Sequence, residues 1–367
     1  MRIGIAAPNL GEKELEYVTD AVKSTWISSK GKYVKGFEDK FAEYIGTKYA
    51  YTVCNGTAAL HLAMLACGVG PGDEVIMPAT TMIACANVVK YCGGKPVFVD
   101  IEEDTWCIDP ADIVNKITKN TVAIMPVHLY GHPADMSPIL GIAEEYRLHV
   151  IEDAAEAHGA EYRGKKVGGI GDVGCFSFYG NKILATGEGG MVTTDDDDLA
   201  KKLDSLRNQA YDPDKRDKLI HSGIGYNYRL TNVQCALGLA QLERIDEFIK
   251  IHRDNADRYN RGLGKGLILP PEKSWAKNVY WMYTTVLDVE SPVVRDMLME
   301  KLKSVGVETR AVFPAIYHQP PYKDSSSWCT VADWFGDRGL NLPSGNSTTF
   351  EEVDYVIEKI KEFLEVE

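Results

Sequence analysis

Along the first two-thirds of the chain, short unbroken apolar runs alternate with segments whose apolar positions recur every three or four residues. Residues 74–78, 96–100, 122–127 and 149–153 lack the in-out alternation of a half-exposed strand, so they predict strands buried on both faces. Segments such as 134–146 carry helical spacing between them. Buried strands separated by helices predict a mostly parallel sheet covered on both sides, with right-handed crossovers that bring the strand C-termini to one edge. Ligands bind at that edge in such sheets, and Asp153, His128 and Pro78 stand at or just beyond strand ends. From about residue 246 the texture changes. Charged amphipathic segments at 248–263, 294–305 and 350–366 flank a strand-like run at 280–286, which predicts a smaller α+β domain. The expected fold is therefore α/β, with a large domain over 1–246 and a small C-terminal domain over 247–367.

Composition narrows the function classes. The 367 residues are 45% hydrophobic and 25% charged, ordinary for a globular protein, and long enough for two domains. A net charge of −13 argues against nucleic acid as a partner, since phosphate binding needs clustered Lys and Arg. No apolar run approaches the ~20 residues that span a bilayer, and the first residues lack the apolar core of a signal peptide. The eight cysteines include no Cys-x-x-Cys pair and are read as reduced core thiols, with no metal site. The expectation is a cytoplasmic enzyme or binding protein.

The candidate chemistry centres on Lys182. It follows the apolar run Cys175-Phe176-Ser177-Phe178 and precedes the turn Gly187-Glu188-Gly189-Gly190, with the Ser177 hydroxyl five residues upstream. A lysine held in a cleft, out of bulk water, is the kind that forms a Schiff base with an aldehyde cofactor. Asn55-Gly56-Thr57 opens a strong helix that Gly68 closes, and a helix start of this kind offers free N–H groups to a phosphate. Asp153 ends a buried strand, where a lone carboxylate is costly. A protonated pyridine nitrogen would be a partner for it; capping of the next segment is the alternative. Glu156 would reach the phenolic edge of the same ring, while His158 is read as structural. Gly169-Ile170-Gly171-Asp172-Val173-Gly174 matches the dinucleotide fingerprint, but it follows a charged turn and leads into a strand, so it is read as a turn. The acidic run from Asp195 to Asp198 reads as a turn and helix start.

Taken together, these residues resemble the DegT/DnrJ/EryC1/StrS sugar aminotransferases, pyridoxal 5′-phosphate (PLP) enzymes of the aspartate aminotransferase fold. The resemblance runs essentially end to end. Its blocks are Thr25-Trp26-Ile27-Ser28-Ser29, Asn55-Gly56-Thr57, Pro126-Val127-His128-Leu129-Tyr130-Gly131, Glu152-Asp153-Ala154-Ala155-Glu156-Ala157, the Lys182 segment, and Tyr226-Asn227-Tyr228-Arg229-Leu230-Thr231-Asn232. It implies that Lys182 carries the cofactor aldehyde and shuttles protons, that Asp153 pairs with the ring nitrogen, and that Glu156 meets the ring hydroxyl. Gly56, Thr57 and Ser177 would hold the phosphate, joined by Asn227 of a second subunit in a homodimer with shared sites. L-Glutamate would be the amino donor. The acceptor would be a nucleotide-linked keto-deoxy sugar, with the branch that aminates C4 of GDP-4-keto-6-deoxymannose resembled most. Where the family often stacks an aromatic ring on the cofactor this chain has Met82, and Tyr317 stands where that branch has histidine. Trp26, Ser28, Arg229 and Tyr317 are the expected substrate contacts. UDP- or dTDP-linked keto sugars and a keto-octulosonate remain alternative acceptors. A PLP sugar dehydratase is disfavoured by Lys182, and a non-catalytic regulatory homologue by the intact cofactor set.

Overall fold

A computed structural model describes residues 2–212, 219–289, 291, 293–323 and 328–364. Its strands are β1 (Tyr49–Val53), β2 (Glu74–Pro78), β3 (Lys95–Val99), β4 (Thr121–Ile124), β5 (His149–Asp153), β6 (Glu161–Tyr162), β7 (Lys165–Lys166), β8 (Val173–Ser177), β9 (Gly190–Thr194), β10 (Leu267–Ile268), β11 (Ala276–Lys277), β12 (Tyr283–Leu287), β13 (Arg310–Ala311) and β14 (Gly339–Leu342). Seven of them form the main sheet in the order β1-β9-β8-β5-β4-β2-β3. Pairing is parallel from β8 through β3, while β9 runs antiparallel to both β8 and β1. Parallel strands need crossovers, and the helices Gly56–Ala66, Ala84–Tyr91 and Met136–Tyr146 supply them. The expected mostly parallel sheet is thus present, its buried runs falling within a few residues of the predicted limits.

The Lys182 edge rests on an aromatic cluster. Phe37 and Phe41 of the helix Lys32–Ile45 pack on Phe176 and Phe178, with ring centroids 5.2 Å apart for Phe37–Phe178 and 4.9 Å for Phe41–Phe176. Each such pair contributes about 0.5–1.5 kcal/mol beyond its buried area. Together they fix the end of β8, and with it Ser177 and the turn that carries Lys182.

The smaller domain is built on an antiparallel sheet in the order β10-β12-β14-β13. The helix Ile245–Gly262 joins two cores: Ile245, Phe248 and Ile249 pack into the one under the main sheet, which also takes in Trp281, Val286 and Phe335, and Ala256 and Tyr259 pack into the second. The N-terminal residues also lie on the small domain: Ile3 bridges Val307 and is buried in the small core, and the Ser344 N–H donates to the Ile5 carbonyl at 3.0 Å. A short N-terminal run has too few residues to announce its partner. Among the described residues no helix is long and apolar enough to cross a membrane.

Candidate active site

The C-terminal ends of β5 and β8 and the start of the helix Gly56–Ala66 converge on one edge of the sheet. Asn55 caps this helix by accepting the Ala58 N–H at 2.8 Å, which leaves the Gly56 and Thr57 N–H groups without intrahelical partners. Gly56 lies so close to the end of β8 that a Cβ there would come within 2.8 Å of the Ser177 Cβ. Two backbone donors and the Ser177 hydroxyl thus lie together at this helix start.

Asp153 is buried at the end of β5. Its Oδ1 accepts the Ala155 N–H at 3.0 Å, and its Oδ2 faces the Cys85 thiol at 3.0 Å. One oxygen thus caps the next segment while the other takes the Cys85 thiol. Glu156 is also buried, its Oε2 taking the Tyr130 N–H at 2.9 Å and its Oε1 lying 3.6 Å from the Lys182 Nζ. Burial outweighs the nearby cation and pushes the Glu156 carboxyl up to about 7. Burial likewise holds the Lys182 amine below its ordinary value, opposed by Glu156 and Asp153. A lysine so placed reaches its free-amine form more readily than a solvated one. These groups fit PLP: a two-donor cradle for a phosphate, a buried carboxylate for a ring nitrogen, and an amine beside a second carboxyl.

The neighbouring glutamate does something different. Alternation along β5 turns Glu152 away from Asp153. Its Oε1 accepts the Ile170 and Gly171 N–H groups, both at 2.7 Å, and its Oε2 accepts the Gly168 N–H at 2.8 Å and faces the His128 Nε2 at 3.0 Å. Burial alone would raise the Glu152 pKa, but His128 and the backbone amides overturn that and hold it low. The glycine-rich segment is thus a turn over residues 169–172 that runs into β8, as its context predicts, and the N–H groups of Gly168, Ile170 and Gly171 close on a carboxylate of this chain. His128, expected at the ligand edge, is instead fully buried beside Glu152, its Nδ1 accepting the Ala134 N–H at 3.0 Å. His158 packs between Phe176 and Phe178, and burial pushes it down to about 3, a neutral packing residue.

Two features were not foreseen from sequence. Tyr130, a non-glycine residue at φ 53°, presents the N–H that holds Glu156. Its ring is nearly parallel to two rings from the C-terminal part of the chain, 5.5 Å from Phe313 and 6.2 Å from Trp281 between centroids. The face of Trp281 in turn lies 3.5 Å from the Lys182 Nζ, and its N–H donates to the Asn181 carbonyl at 2.8 Å. The block 126–131 pointed to this region, but nothing in sequence joins it to residue 281.

The expected substrate contacts divide. Trp26, Ser28 and Met82 are exposed, with Trp26 at 57% and Met82 at 49% of full accessibility. Met82 therefore presents its side chain to solvent within this chain. Asn232 clamps the 26–33 loop by donating to the Trp26 carbonyl at 2.6 Å and accepting the Tyr33 N–H at 3.0 Å. Arg229 is engaged with Ser29 Oγ at 3.1 Å and Asn208 Oδ1 at 2.9 Å, lining a cleft of about 800 Å³ with Lys30, Arg207 and Tyr211. Asn227 is exposed, its backbone bridged to Asn208. Tyr317 departs most from expectation. Its phenol is buried, donates to Asp333 at 2.6 Å and accepts the Cys329 N–H at 3.2 Å, so its hydrogen bonds are spent inside the small domain.

Residues 8–361 match the DegT/DnrJ/EryC1/StrS aminotransferase family. The chain is 47% identical to the GDP-perosamine synthase of Caulobacter vibrioides, over 99% of this chain and 98% of that protein. It is 46% identical to the GDP-perosamine synthase of Escherichia coli O157:H7, over 98% of each. Among solved structures, the aminotransferase TlmJ of Streptoalloteichus hindustanus superposes with a TM-score of 0.94 at 30% identity, covering 100% of this chain and 99% of that one.

Proposed function

Because the chain belongs to the DegT/DnrJ/EryC1/StrS aminotransferase family, we propose that it transfers the amino group of L-glutamate to C4 of GDP-4-keto-6-deoxymannose, yielding GDP-perosamine. The enzyme is a PLP-dependent sugar aminotransferase. The observation that carries the choice of sugar is near-half identity over almost the whole length of two GDP-perosamine synthases.

When bound, PLP supplies the electron sink that makes the α-proton of an amino acid removable. The chain supplies the rest. The N–H groups of Gly56 and Thr57 and the Ser177 hydroxyl would hold the phosphate at a helix start. Asp153 would hold the ring nitrogen in its protonated form, and Glu156 would meet the ring hydroxyl. Holding the group at both ends, these residues would fix it beside the Lys182 amine. Lys182 then removes and returns protons on one face, as a base when its amine is free and as an acid when protonated.

Asn227, exposed within its own chain, completes the phosphate seat of a second copy in a homodimer with shared sites. Trp26, Ser28 and Arg229 belong to the sugar-nucleotide side of that shared pocket. The absorption spectrum tests the reading. The enzyme is converted with L-glutamate to its amine form, then offered GDP-4-keto-6-deoxymannose, UDP-4-keto-6-deoxyglucose and dTDP-keto sugars in turn. Return of the yellow band with the GDP sugar alone is expected. Return with another sugar keeps the enzyme class and overturns the acceptor; a band that glutamate never bleaches overturns Lys182.

A further inference from the structure

Trp281 lies outside every block that the resemblance drew on, yet it makes two contacts with the Lys182 segment. Its ring face is 3.5 Å from the Lys182 Nζ, and its N–H donates to the carbonyl of Asn181, the residue immediately before the lysine. The indole is buried, 5% exposed. It is also one layer of the Phe313–Tyr130–Trp281 stack, whose middle member holds Glu156 through its backbone N–H. Other small-domain contacts brace the same place: the Asn346 side chain donates to the Ile183 carbonyl at 2.8 Å, and the Ile316 N–H donates to the Ala79 carbonyl at 2.8 Å.

A catalytic lysine that gives up its bond to the cofactor must wait nearby as an amine or ammonium in a site with little water. The groups facing it are Glu156 at 3.6 Å, then Asp153, Cys85 and His158 from the large domain, and the Trp281 face from the small one. Glu156 is itself pushed up toward neutrality, so it is an incomplete counter-ion. An indole face attracts a cation without needing a charge of its own, and does so most where water is excluded. We propose that Trp281 is a positioning residue for Lys182: its ring seats the protonated amine whenever the lysine is not bonded to the cofactor, and its N–H fixes the backbone from which the lysine reaches. Docking of the small domain and readiness of the lysine then become one event.

This rests on Lys182 being the cofactor lysine, and the experiment separates the two. Apoenzyme is mixed with PLP, and growth of the visible band is followed from neutral to alkaline pH in wild type, Trp281→Phe and Trp281→Leu. Only the free amine captures the aldehyde. Leu keeps the apolar bulk but removes the face, so the ammonium gives up its proton at lower pH. Capture at neutral pH is then expected to be about three- to tenfold faster than wild type, converging at alkaline pH, with Phe between them. If Leu leaves the chain unfolded, Trp281→Met is the second apolar replacement. An unmoved pH midpoint in the Leu or Met variant overturns the proposal, as does a raised KM for the keto sugar with the midpoint unmoved, which makes Trp281 a wall of the sugar pocket. A Phe variant shifted as far as Leu overturns the role of the face. A wild-type apoenzyme that never develops the band overturns the assignment of Lys182 itself.

Discussion

Replacing Glu152 with Gln swaps one acceptor for a donor inside a shell that donates from every side. Because the His128 Nδ1 accepts the Ala134 N–H, its Nε2 must carry the ring proton, so all four neighbours of the Glu152 carboxylate are donors. With the amide nitrogen in place of Oε2, the Gly168 and His128 donors are stranded; turned over, it strands those of Ile170 and Gly171. Either orientation leaves two buried donors facing an NH₂. At roughly 1–3 kcal/mol for each, and with an amide cheaper to bury than a charge, the net loss is about 2–4 kcal/mol. Urea unfolding of the apoenzyme measures it against wild type. Turnover per folded site should persist, since Glu152 points away from Asp153 along the same strand. The pH dependence has a sign: a carboxyl held below its unfolded pKa stabilises above the ordinary glutamate range, and that stability is lost as pH falls through it. A loss under about 1 kcal/mol would refute the closed-shell reasoning, as would a variant whose turnover collapses while its stability holds.

Other expected outcomes concern the site itself. Lys182→Ala should abolish transamination while PLP still binds noncovalently, seen as a spectrum without the lysine-linked band. Gly56→Ala drives a Cβ to 2.8 Å from Ser177 and should weaken PLP retention by about 1–3 kcal/mol in an absorbance titration, the usual cost of overpacking. For Glu156, pushed up to about 7 by burial, the carboxyl is favoured neutral. Apoenzyme stability should therefore decline as pH rises from the ordinary glutamate range toward neutrality, and Glu156→Gln should flatten that decline. Mixing Lys182→Ala with Asn227→Ala subunits should restore activity to about a quarter of wild type, because half the dimers are mixed and each regains one intact site; no gain above the parents would overturn the shared seat.

Legibility followed the range of the interaction. β2 and β5 were readable because a strand covered on both faces has no polar side to hide its apolar run. Lys182, Asp153, Glu156, Gly56 and Ser177 could be nominated from sequence because each stands near the end of an apolar run, where such sheets offer a ligand edge. Trp281 and Cys85 were not, since each reaches the site across a gap in sequence that no local spacing reports. Tyr317 shows a related limit. A tyrosine near a pocket reads the same whether its phenol faces a sugar or Asp333, and only the packing of the helix Thr330–Arg338 decides. The turn at 169–174 was excluded as a dinucleotide site by its flanks, but the carboxylate that fills it lies on a different strand.

The pairing of Ile3 with Val307 sets an order of events during synthesis. Residues 3 and 5 have no place to settle until residues 307 and 344 have been made, whereas the seven-stranded sheet closes among residues 49–194. Long-separated contacts form late and slowly, so the PLP edge can be assembled while Trp281 and its neighbours are still unmade. A newborn chain in that interval has its cofactor cradle without its lysine seat. Ribosome-stalled chains ending before residue 281 should therefore retain the sheet but lack the indole face that lies against Lys182 in the whole chain.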